Sequence, residues 1–464
     1  MKAKIGFIPS HRVPFGEEWA VDMRRRCLAE MAKIPGLEIV VPEESLTPKG
    51  LVSSLADARK ALNLFKEREV VGVIVGGMTF GHETSAVGVT IAGLPKGTPV
   101  LHFATKGQIN KDGTRPSDSW CGQFMIASAL KRRDIVFEHI PTCFPEEPVF
   151  AQGVEQFARA CSAHQTFRGA RIGQIGARPE EFESVWWDEA SLQRDFNQTV
   201  VPIDLADVFM RLDAVGADDA EVKQVAQEIK AESEVPKEAA EAVSTLARLE
   251  IALLRLAEEK ELNAMAVNCW EQVQKRYGIC VCSTLGRLTD QGKLCSCEVD
   301  VYGASTMLAA HAAGLGATSP HFIDWTELHP DQENVWLAWH CGNAPPSLCR
   351  AGCTPCINQH MIIPVRPSWG TRECSLKTGP VTCCRLVEYD GWFTMFIGEG
   401  EVIDIPPYTR GSYSWVKVAD VVDWEQKMVE HGIIHHGVLI HDPKVADALA
   451  SFCKFNGIEV VRGA

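Results

Sequence analysis

No stretch of the 464-residue sequence approaches the roughly 18 consecutive apolar residues that a membrane span requires. The apolar stretch near the N-terminus, residues 5–9, is too short for the apolar region of a secretion signal. Basic residues are not clustered, and 46 Lys and Arg against 60 Asp and Glu leave a net charge of −14 without any long acidic run. We therefore expect a cytoplasmic protein that binds neither a membrane nor, as its main partner, nucleic acid, whose phosphates require clustered Lys and Arg.

The sequence also lacks a complete disulfide framework, because its 17 cysteines are odd in number. Thirteen of them lie from Cys269 onward, and the tightest group is Cys341, Cys349, Cys353 and Cys356. The spacing within this group matches no standard zinc or iron–sulfur pattern. We interpret these residues as reduced, mostly buried thiols, and a thiol-bound metal is the alternative.

The first 165 residues show an alternation of two patterns. Short apolar runs at 5–8, 37–41, 70–75 and 99–103 are separated by amphipathic helical patterns at 17–31 and 54–65. This alternation predicts a parallel sheet that is covered by helices. Ligands of such sheets gather at the carboxyl ends of the strands, here residues 9–12, 76–81 and 104–106.

A second α/β region begins at residues 171–176, where a strand runs into glycine without the full GxGxxG pattern of a dinucleotide-binding loop. The pattern of residues 217–260 predicts two long surface helices that carry no functional residues. We expect residues 262–267 to form a strand and residues 301–313 to form a helix. From residue 335 the pattern changes to two-residue alternation, which predicts strands at 335–339, 381–389, 392–397, 402–405 and 412–418, with a helix over 421–430.

The predicted fold class is therefore α/β, with two N-terminal doubly wound α/β domains followed by a mainly antiparallel β domain. At roughly 150 residues per domain, the length fits this division. We place the domains at residues 1–168, 169–333 and 334–464. The first carries candidate substrate loops, the second candidate metal carboxylates, and the third candidate metal histidines.

Four segments place ionisable side chains inside apolar runs, at residues 297–303, 321–325, 339–343 and 433–437. Each has an ordinary explanation on its own, as a turn, a helix cap or a buried core histidine. Because an unpaired buried charge is costly, carboxylates in such positions usually meet a cation. Two carboxylates together with imidazoles form an oxygen and nitrogen site that suits a divalent ion such as Mn²⁺ or Mg²⁺.

The order of these residues resembles the L-fucose/L-arabinose isomerase superfamily. The resemblance is carried by Glu298, Asp324, His340 and the pair His435 and His436. Residues 298–304 are most similar to the fucose-isomerase branch, and residues 339–343 are similar to a segment of both branches. Residues 77–80 and 117–124 also resemble substrate-side motifs of the family, so that the likeness extends over most of the chain.

The resemblance implies that Glu298 and Asp324 are both metal ligands and the acid/base pair, and that His340 and His436 complete the coordination. The arabinose branch has Glu where this chain has Asp324, whereas the fucose branch has Asp. The choice between His435 and His436 as the ligand stays open. Asp300 has no ligand role in the family pattern, and we expect it to cap the helix that follows.

The implied cofactor is Mn²⁺ or another divalent ion such as Mg²⁺ or Co²⁺. The implied assembly is a homo-oligomer, commonly a hexamer, in which N-terminal loops serve the metal site of a neighbouring subunit. The candidate substrate-binding residues are His11, Arg12, Thr79, Phe80, Gln123, His435 and Arg410.

The implied activity is the interconversion of an aldose and a ketose through a cis-enediol, on L-fucose, an arabinose or a related sugar such as sulfoquinovose. A sulfonated sugar would require cationic groups in the substrate loops, and Arg12, Lys106 and Arg410 are candidates. Two alternatives come from other classes. One is a sugar-binding or regulatory protein without paired acid/base residues, and the other is a thiol-based metalloprotein.

Overall fold

The computed structural model describes residues Met1 to Ala464. The chain forms two compact units, one of residues 1–165 with 451–457 and one of residues 166–450 with 458–464. The division into three domains stays a prediction. None of the helices combines the length and the apolar character that a membrane crossing would need.

The chain up to residue 167 forms a five-stranded parallel sheet in the order β2-β1-β3-β4-β5 with four helices. Its elements are β1 (Ala3–Ser10), α1 (Glu17–Met31), β2 (Leu37–Val40), α2 (Leu55–Glu67), β3 (Gly72–Gly77), β4 (Val100–Ala104), α3 (Ser119–Lys131), β5 (Phe137–His139) and α4 (Pro148–Phe167). The predicted α/β series is confirmed. Because β1 and β3 are paired up to Ser10 and Gly77, the loops that follow them lie at one edge of the sheet.

A second parallel sheet follows, with four strands in the order β7-β6-β8-β9. Its elements and helices are β6 (Arg171–Ile175), α5 (Glu189–Phe196), β7 (Thr199–Ile203), α6 (Leu205–Ala214), α7 (Ala220–Glu232), α8 (Ala240–Glu259), β8 (Ala264–Val267), α9 (Gln272–Tyr277), α10 (Cys282–Asp290), β9 (Leu294–Cys297) and α11 (Val301–Ala313). Residues 301–313 form the predicted helix, and almost all of it is buried.

The third sheet has nine strands in the order β12-β13-β16-β11-β10-β17-β14-β15-β18 and is mainly antiparallel, as predicted. An additional pairing of β15 with β16 closes its six middle strands into a ring. The elements are β10 (His321–Leu328), β11 (Val335–His340), β12 (Cys356–Gln359), β13 (Trp369–Ser375), β14 (Gly379–Tyr389), β15 (Trp392–Ile403), β16 (Ser412–Lys417), α12 (Val421–Glu430), β17 (His436–Ile440), α13 (Val445–Asn456) and β18 (Glu459–Arg462).

The strand predictions for this sheet need two corrections. Residues 392–397 and 402–405 do not form separate strands, because β15 runs through Gly398 and Gly400. A Cβ atom at Gly398 would lie 2.2 Å from the Trp424 ring, so this glycine permits close packing rather than a turn. The strands β10, β12 and β13 were not predicted, since their sequences mix polar and apolar residues without regular alternation.

The helices α7 and α8 were predicted as surface helices, but half of the residues of α8 are buried, and nearly all of these are apolar. The exception is Glu250, which belongs to an ion-pair network around Arg287 on α10, whose side chain is only 4% exposed. Its guanidinium lies 2.6 Å from Glu250 and 2.7 Å from Glu228, and it also contacts Glu232. Three carboxylates from two helices therefore surround one buried cation.

Replacing Arg287 with Met should lower the free energy of unfolding by about 3–5 kcal/mol, because Glu250 would keep a buried charge without its partner. The matched control is Arg255→Met on α8, which removes an exposed ion pair with Glu221 and should cost at most about 1 kcal/mol. Urea unfolding monitored by circular dichroism and tryptophan fluorescence compares the two variants. Equal losses in both would contradict the special role of the buried network.

Candidate active site

The first carboxylate of the site, Glu298, lies in the short connection between β9 and α11. Glu298 and Val299 both have left-handed backbone conformations, with φ of 59° and 60°. Such conformations are costly for residues with a Cβ atom, above all for β-branched ones, and they cluster at functional sites. This turn directs the carboxylate of Glu298 toward β17.

The carboxylate of Glu298 has two partners in the second unit. Its Oε1 accepts a hydrogen bond from Trp270 Nε1 at 3.1 Å, and its Oε2 lies 2.8 Å from His436 Nε2. Burial raises the pKa of Glu298, but the hydrogen bond and the charge of His436 outweigh burial and lower the pKa to about 2. Glu298 is therefore an ionised carboxylate in a buried position.

Asp300 caps α11, as predicted, by accepting the backbone N–H of Gly303 at 2.7 Å. The structure adds two partners that the sequence did not reveal. Arg385 on β14 pairs with both carboxylate oxygens, with Nη2 at 3.0 Å from Oδ1. Oδ2 lies 2.8 Å from His436 Nδ1. Burial raises the pKa of Asp300, but the guanidinium of Arg385 beside it holds the pKa well below its usual range.

His436 consequently has a carboxylate at each ring nitrogen. Burial lowers the pKa of His436, but hydrogen bonds to Asp300 and Glu298 and the charges of both carboxylates raise it to about 10. An imidazole that donates Nδ1–H to a carboxylate offers Nε2 to a metal, and this is the usual arrangement of a metal-binding histidine. A metal ion and a proton would compete for the same Nε2 atom.

The second predicted carboxylate, Asp324, lies on β10 opposite His436 of β17 and Trp339 of β11. Its Oδ1 is 3.6 Å from His436 Nε2. About 25% of the side chain is exposed, but Oδ1 itself is buried. Burial raises the pKa of Asp324 to about 7, and the charge of Glu298 adds to this effect against the opposing charge of His436.

The remaining predicted ligands come from the ends of neighbouring strands. His340 ends β11, and its Nδ1 accepts the backbone N–H of Cys341 at 2.9 Å. In the neutral ring the proton then lies on Nε2, so a metal ion at Nε2 would have to displace this proton. Burial lowers the pKa of His340 to about 3. His435 is exposed, whereas His436 is fully buried, and the two ring centroids are 3.9 Å apart.

These side chains fit a divalent metal ion. Glu298, His340 and His436 each place one ligand atom within 4.8 Å of the others, and Asp324, His435 and His436 form a second such group. Two of these atoms, His340 Nε2 and Asp324 Oδ1, are buried without any hydrogen-bond partner. A bound cation would give a partner to Asp324 Oδ1, and also to His340 Nε2 once the proton of that nitrogen is displaced, and buried polar atoms generally have partners. The carboxylate and imidazole donors suit Mn²⁺ and related ions.

Four predicted substrate residues of the N-terminal unit form a cluster at the ends of β1 and β3. His11 Nδ1 lies 2.9 Å from Thr79 Oγ1, which also accepts the backbone N–H of Arg12 at 3.2 Å. The Arg12 guanidinium lies 5.0 Å from the centre of the Phe80 ring. Gln123, on α3, donates to Thr142 Oγ1 at 2.9 Å. Both His11 Nε2 and Gln123 Oε1 are buried without a partner.

Each of the three cationic candidates for a sulfonate contact pairs with a carboxylate. Arg12 pairs with Glu83, Lys106 with Glu147, and Arg410 with Glu373, at 2.5, 2.7 and 2.6 Å respectively. Arg410 lies in the second unit. Its backbone carbonyl accepts the Trp339 indole N–H at 2.6 Å, which places it next to the strand end that carries His340.

The four cysteines of the predicted group do not converge on one point. Cys341 packs in an apolar cluster with Cys280 and Cys282. Cys349 contacts Cys374, with 2.8 Å between their sulfur atoms, and Cys356 lies on β12.

The sequence reasoning missed the site residues Trp270 and Arg385. A lone Arg within the apolar run of β14 was the one available signal for Arg385, because a cation in such a place requires a buried partner.

Two family models match the chain. The model for the N-terminal domain of fucose/sulfoquinovose isomerases matches residues 6–168, and the model for the C-terminal domain of L-fucose isomerases matches residues 338–462. His340 and His436 lie in the second matched segment. Glu298 and Asp324 lie between the two segments.

Several curated proteins are similar to this chain. A sulfoquinovose isomerase of Alkalicoccus urumqiensis is 27% identical over 312 residues, which is 64% of this chain and 66% of the relative. A sulfoquinovose isomerase of Priestia aryabhattai is 24% identical over 58% of this chain and 59% of the relative. A sulfoquinovose isomerase of Clostridium sp. (strain MSTE9) is 24% identical over 76% of this chain and 78% of the relative. The alignments with the first two relatives thus span less than two thirds of their length.

Proposed function

Because the chain belongs to the fucose-isomerase-like family, we propose that it is a divalent-metal-dependent aldose–ketose isomerase of a monosaccharide. The observation that carries this proposal is a pair of possible metal-binding groups that share His436, one with Glu298 and His340 and one with Asp324 and His435. They include two buried ligand atoms without hydrogen-bond partners. The names of the curated relatives support a sugar as the substrate. Mn²⁺ is the ion that we propose, with Mg²⁺ or Co²⁺ as substitutes.

The reaction moves a proton between C2 and C1 of an open-chain sugar through a cis-enediol. In this proposal, Glu298 takes the proton from carbon and returns it, while Asp324 handles the proton of the neighbouring hydroxyl group. Trp270 and Asp300 hold Glu298 and His436 in place through the hydrogen bonds described above. When bound, a divalent ion supplies Lewis-acid stabilisation of the negative charge that develops on the sugar oxygens.

We further propose that the enzyme is a homo-oligomer, with a hexamer favoured, in which the N-terminal cluster of one subunit serves a neighbour. The support is that His11 and Gln123 carry buried polar atoms without partners within their own unit. A monomeric variant that keeps its metal and its full turnover would contradict this arrangement.

Removal of the metal should abolish isomerisation, and added Mn²⁺ should restore it, since the uncatalysed loss of a proton from carbon is very slow without charge stabilisation. The experiment treats the purified protein with a chelator. It then measures ketose formation from L-fucose, D-arabinose, L-arabinose and sulfoquinovose, together with metal content. No ketose from any sugar and no retained metal would refute the isomerase and favour the sugar-binding alternative. Stoichiometric zinc on thiols would favour the thiol-based alternative.

A further inference from the structure

Two thiols meet near one edge of the nine-stranded sheet, and the proposed reaction uses neither of them. Cys374 lies on β13 and Cys349 lies in the connection between β11 and β12. Their sulfur atoms are 2.8 Å apart, and both residues are free thiols. The two sulfur atoms are therefore placed for a reaction with each other.

The backbone fixes this thiol pair on both sides. The N–H of Arg350, next to Cys349, donates to the carbonyl of Ser375 at 3.0 Å. The N–H of Cys374 donates to the carbonyl of Gly411 at 3.0 Å. Because both chain segments are hydrogen-bonded at this point, the fold itself keeps the two sulfur atoms in contact.

The two thiols differ in the properties that decide reactivity. Cys349 is half-buried, whereas Cys374 is only 4% exposed. The hydrogen bond with Cys374 lowers the pKa of Cys349 against the effect of burial, and the charge of Arg372 adds to the lowering. The same hydrogen bond and burial raise the pKa of Cys374. Since the thiolate is the nucleophile, Cys349 is the thiol that reacts first with a dissolved oxidant.

A third thiol competes for the same partner. Cys353 is half-buried and packs in the same small apolar cluster as Cys349 and Cys374. The contact of 2.8 Å between Cys349 and Cys374 favours Cys374 as the residue that resolves an oxidised Cys349.

A bond between Cys349 and Cys374 would close a loop with little regular structure. Between residues 350 and 368, the only strand is β12, which lies at the edge of the sheet. The two cysteines are 25 positions apart. A disulfide that closes a loop of this size stabilises the fold, in the chain-entropy account because it restricts the unfolded chain.

We propose that Cys349 and Cys374 form a reversible oxidation site, at which a hydroperoxide such as H₂O₂ converts the thiol pair into a disulfide that fastens residues 349–374 to the sheet. This inference goes beyond the proposed isomerase and does not depend on it.

The oxidation has two steps. The Cys349 thiolate attacks one oxygen of the peroxide, the O–O bond breaks, and Cys349 becomes a sulfenic acid while the leaving hydroxide takes a proton from solvent. The sulfur of Cys374 then attacks the Cys349 sulfur, the S–S bond forms, and the oxygen leaves as water with the proton of Cys374. The peroxide gains the two electrons that the thiols lose. Two molecules of a small thiol such as glutathione reverse the change by thiol–disulfide exchange.

The test treats the reduced full-length protein with H₂O₂, blocks the remaining thiols with N-ethylmaleimide and digests the protein with trypsin without reduction. Trypsin cleaves after Arg350, Arg372 and Lys377, so Cys374 leaves in a peptide separate from Cys353 and from Cys349. Mass spectrometry should find residues 373–377 linked to the peptide that ends at Arg350, with two of the 17 thiols lost.

Urea unfolding gives a second readout of the same bond. Oxidised wild type should unfold at a higher urea concentration than reduced wild type, and glutathione should reverse the shift. In Cys349→Ser, peroxide should give neither the linked peptide nor the shift, whereas Cys353→Ser should keep both. The matched control is Cys121→Ser, which removes an exposed thiol of α3 and should also keep both.

Three results would overturn the inference. One is Cys349 linked to Cys353 instead of Cys374, and another is Cys349 that is oxidised to sulfinic acid without any link. The third is wild type in which Cys349 and Cys374 both stay reduced while the exposed Cys121 is oxidised. Because these results come from wild-type protein, they stand even if a variant fails to fold.

Discussion

Replacing Glu298 with Gln should lower kcat by at least about 10²-fold, the lower end of a general-base contribution. The amide keeps the shape of the side chain and a carbonyl oxygen for the metal, but it cannot take a proton from carbon. It also removes the negative charge beside His436 Nε2, so metal affinity should fall as well. Asp324→Asn should behave similarly.

The discriminating measurement is hydrogen exchange at the proton-transfer carbon of the sugar in D₂O, with metal content determined in the same samples. The control is Glu327→Gln, which makes the same chemical change at an exposed position of β10, and it should leave exchange and metal content as in the wild type. If Glu298→Gln kept its full rate of exchange, Glu298 would not be the base.

Local patterns allowed some of the helices to be predicted, whereas α3, α4, α5, α6, α9 and α10 were not predicted. The predicted bounds of α1, α11 and α12 agree with the structure because helical periodicity lies within one segment, and α11 and α12 also begin at a capping Asp. The strand β10 was missed, although its Asp324 was chosen as a ligand. Its pairing with β11 and β17, more than a hundred residues away in the case of β17, decides that it is a strand.

Sequence reasoning can propose site residues where the side chains are themselves ionisable. Glu298, Asp324, His340 and His436 were proposed because each is ionisable within an apolar run and because their order resembles a known family. The choice between His435 and His436 as the ligand stays a proposal, and the structure adds that His436 is buried beside two carboxylates whereas His435 is exposed.

Asp300 shows most clearly what sequence reasoning cannot supply. A helix cap was expected at this position, and a cap alone is worth about 1 kcal/mol. The same carboxylate also pairs with Arg385, which lies 85 positions further along the chain, and with the ring of His436. Both side chains of the ion pair are at most 1% exposed. Replacement of Asp300 should therefore be much more damaging than the sequence suggested.

Asp300→Asn should lower metal affinity by about 10–100-fold, the usual effect of losing a carboxylate behind a metal-binding histidine. It should also lower the free energy of unfolding by about 3–5 kcal/mol, because Arg385 would keep a buried charge without its partner. Metal titration and urea unfolding measure the two effects. The matched control is Asp420→Asn, the exposed cap of α12, which should change neither by much since Asn caps helices as well as Asp.

The two roles of Asp300 separate in a double variant. Asp300→Asn combined with Arg385→Met removes the uncompensated charge, so most of the lost stability should return. Metal affinity should stay low, because His436 Nδ1 still lacks the carboxylate that orients the ring and increases the basicity of Nε2. If the double variant recovered metal affinity together with stability, the weakened binding in Asp300→Asn would come from a disturbed fold. Asp300 would then act through Arg385 alone, and the hydrogen bond between Asp300 and His436 would have no part in holding the metal.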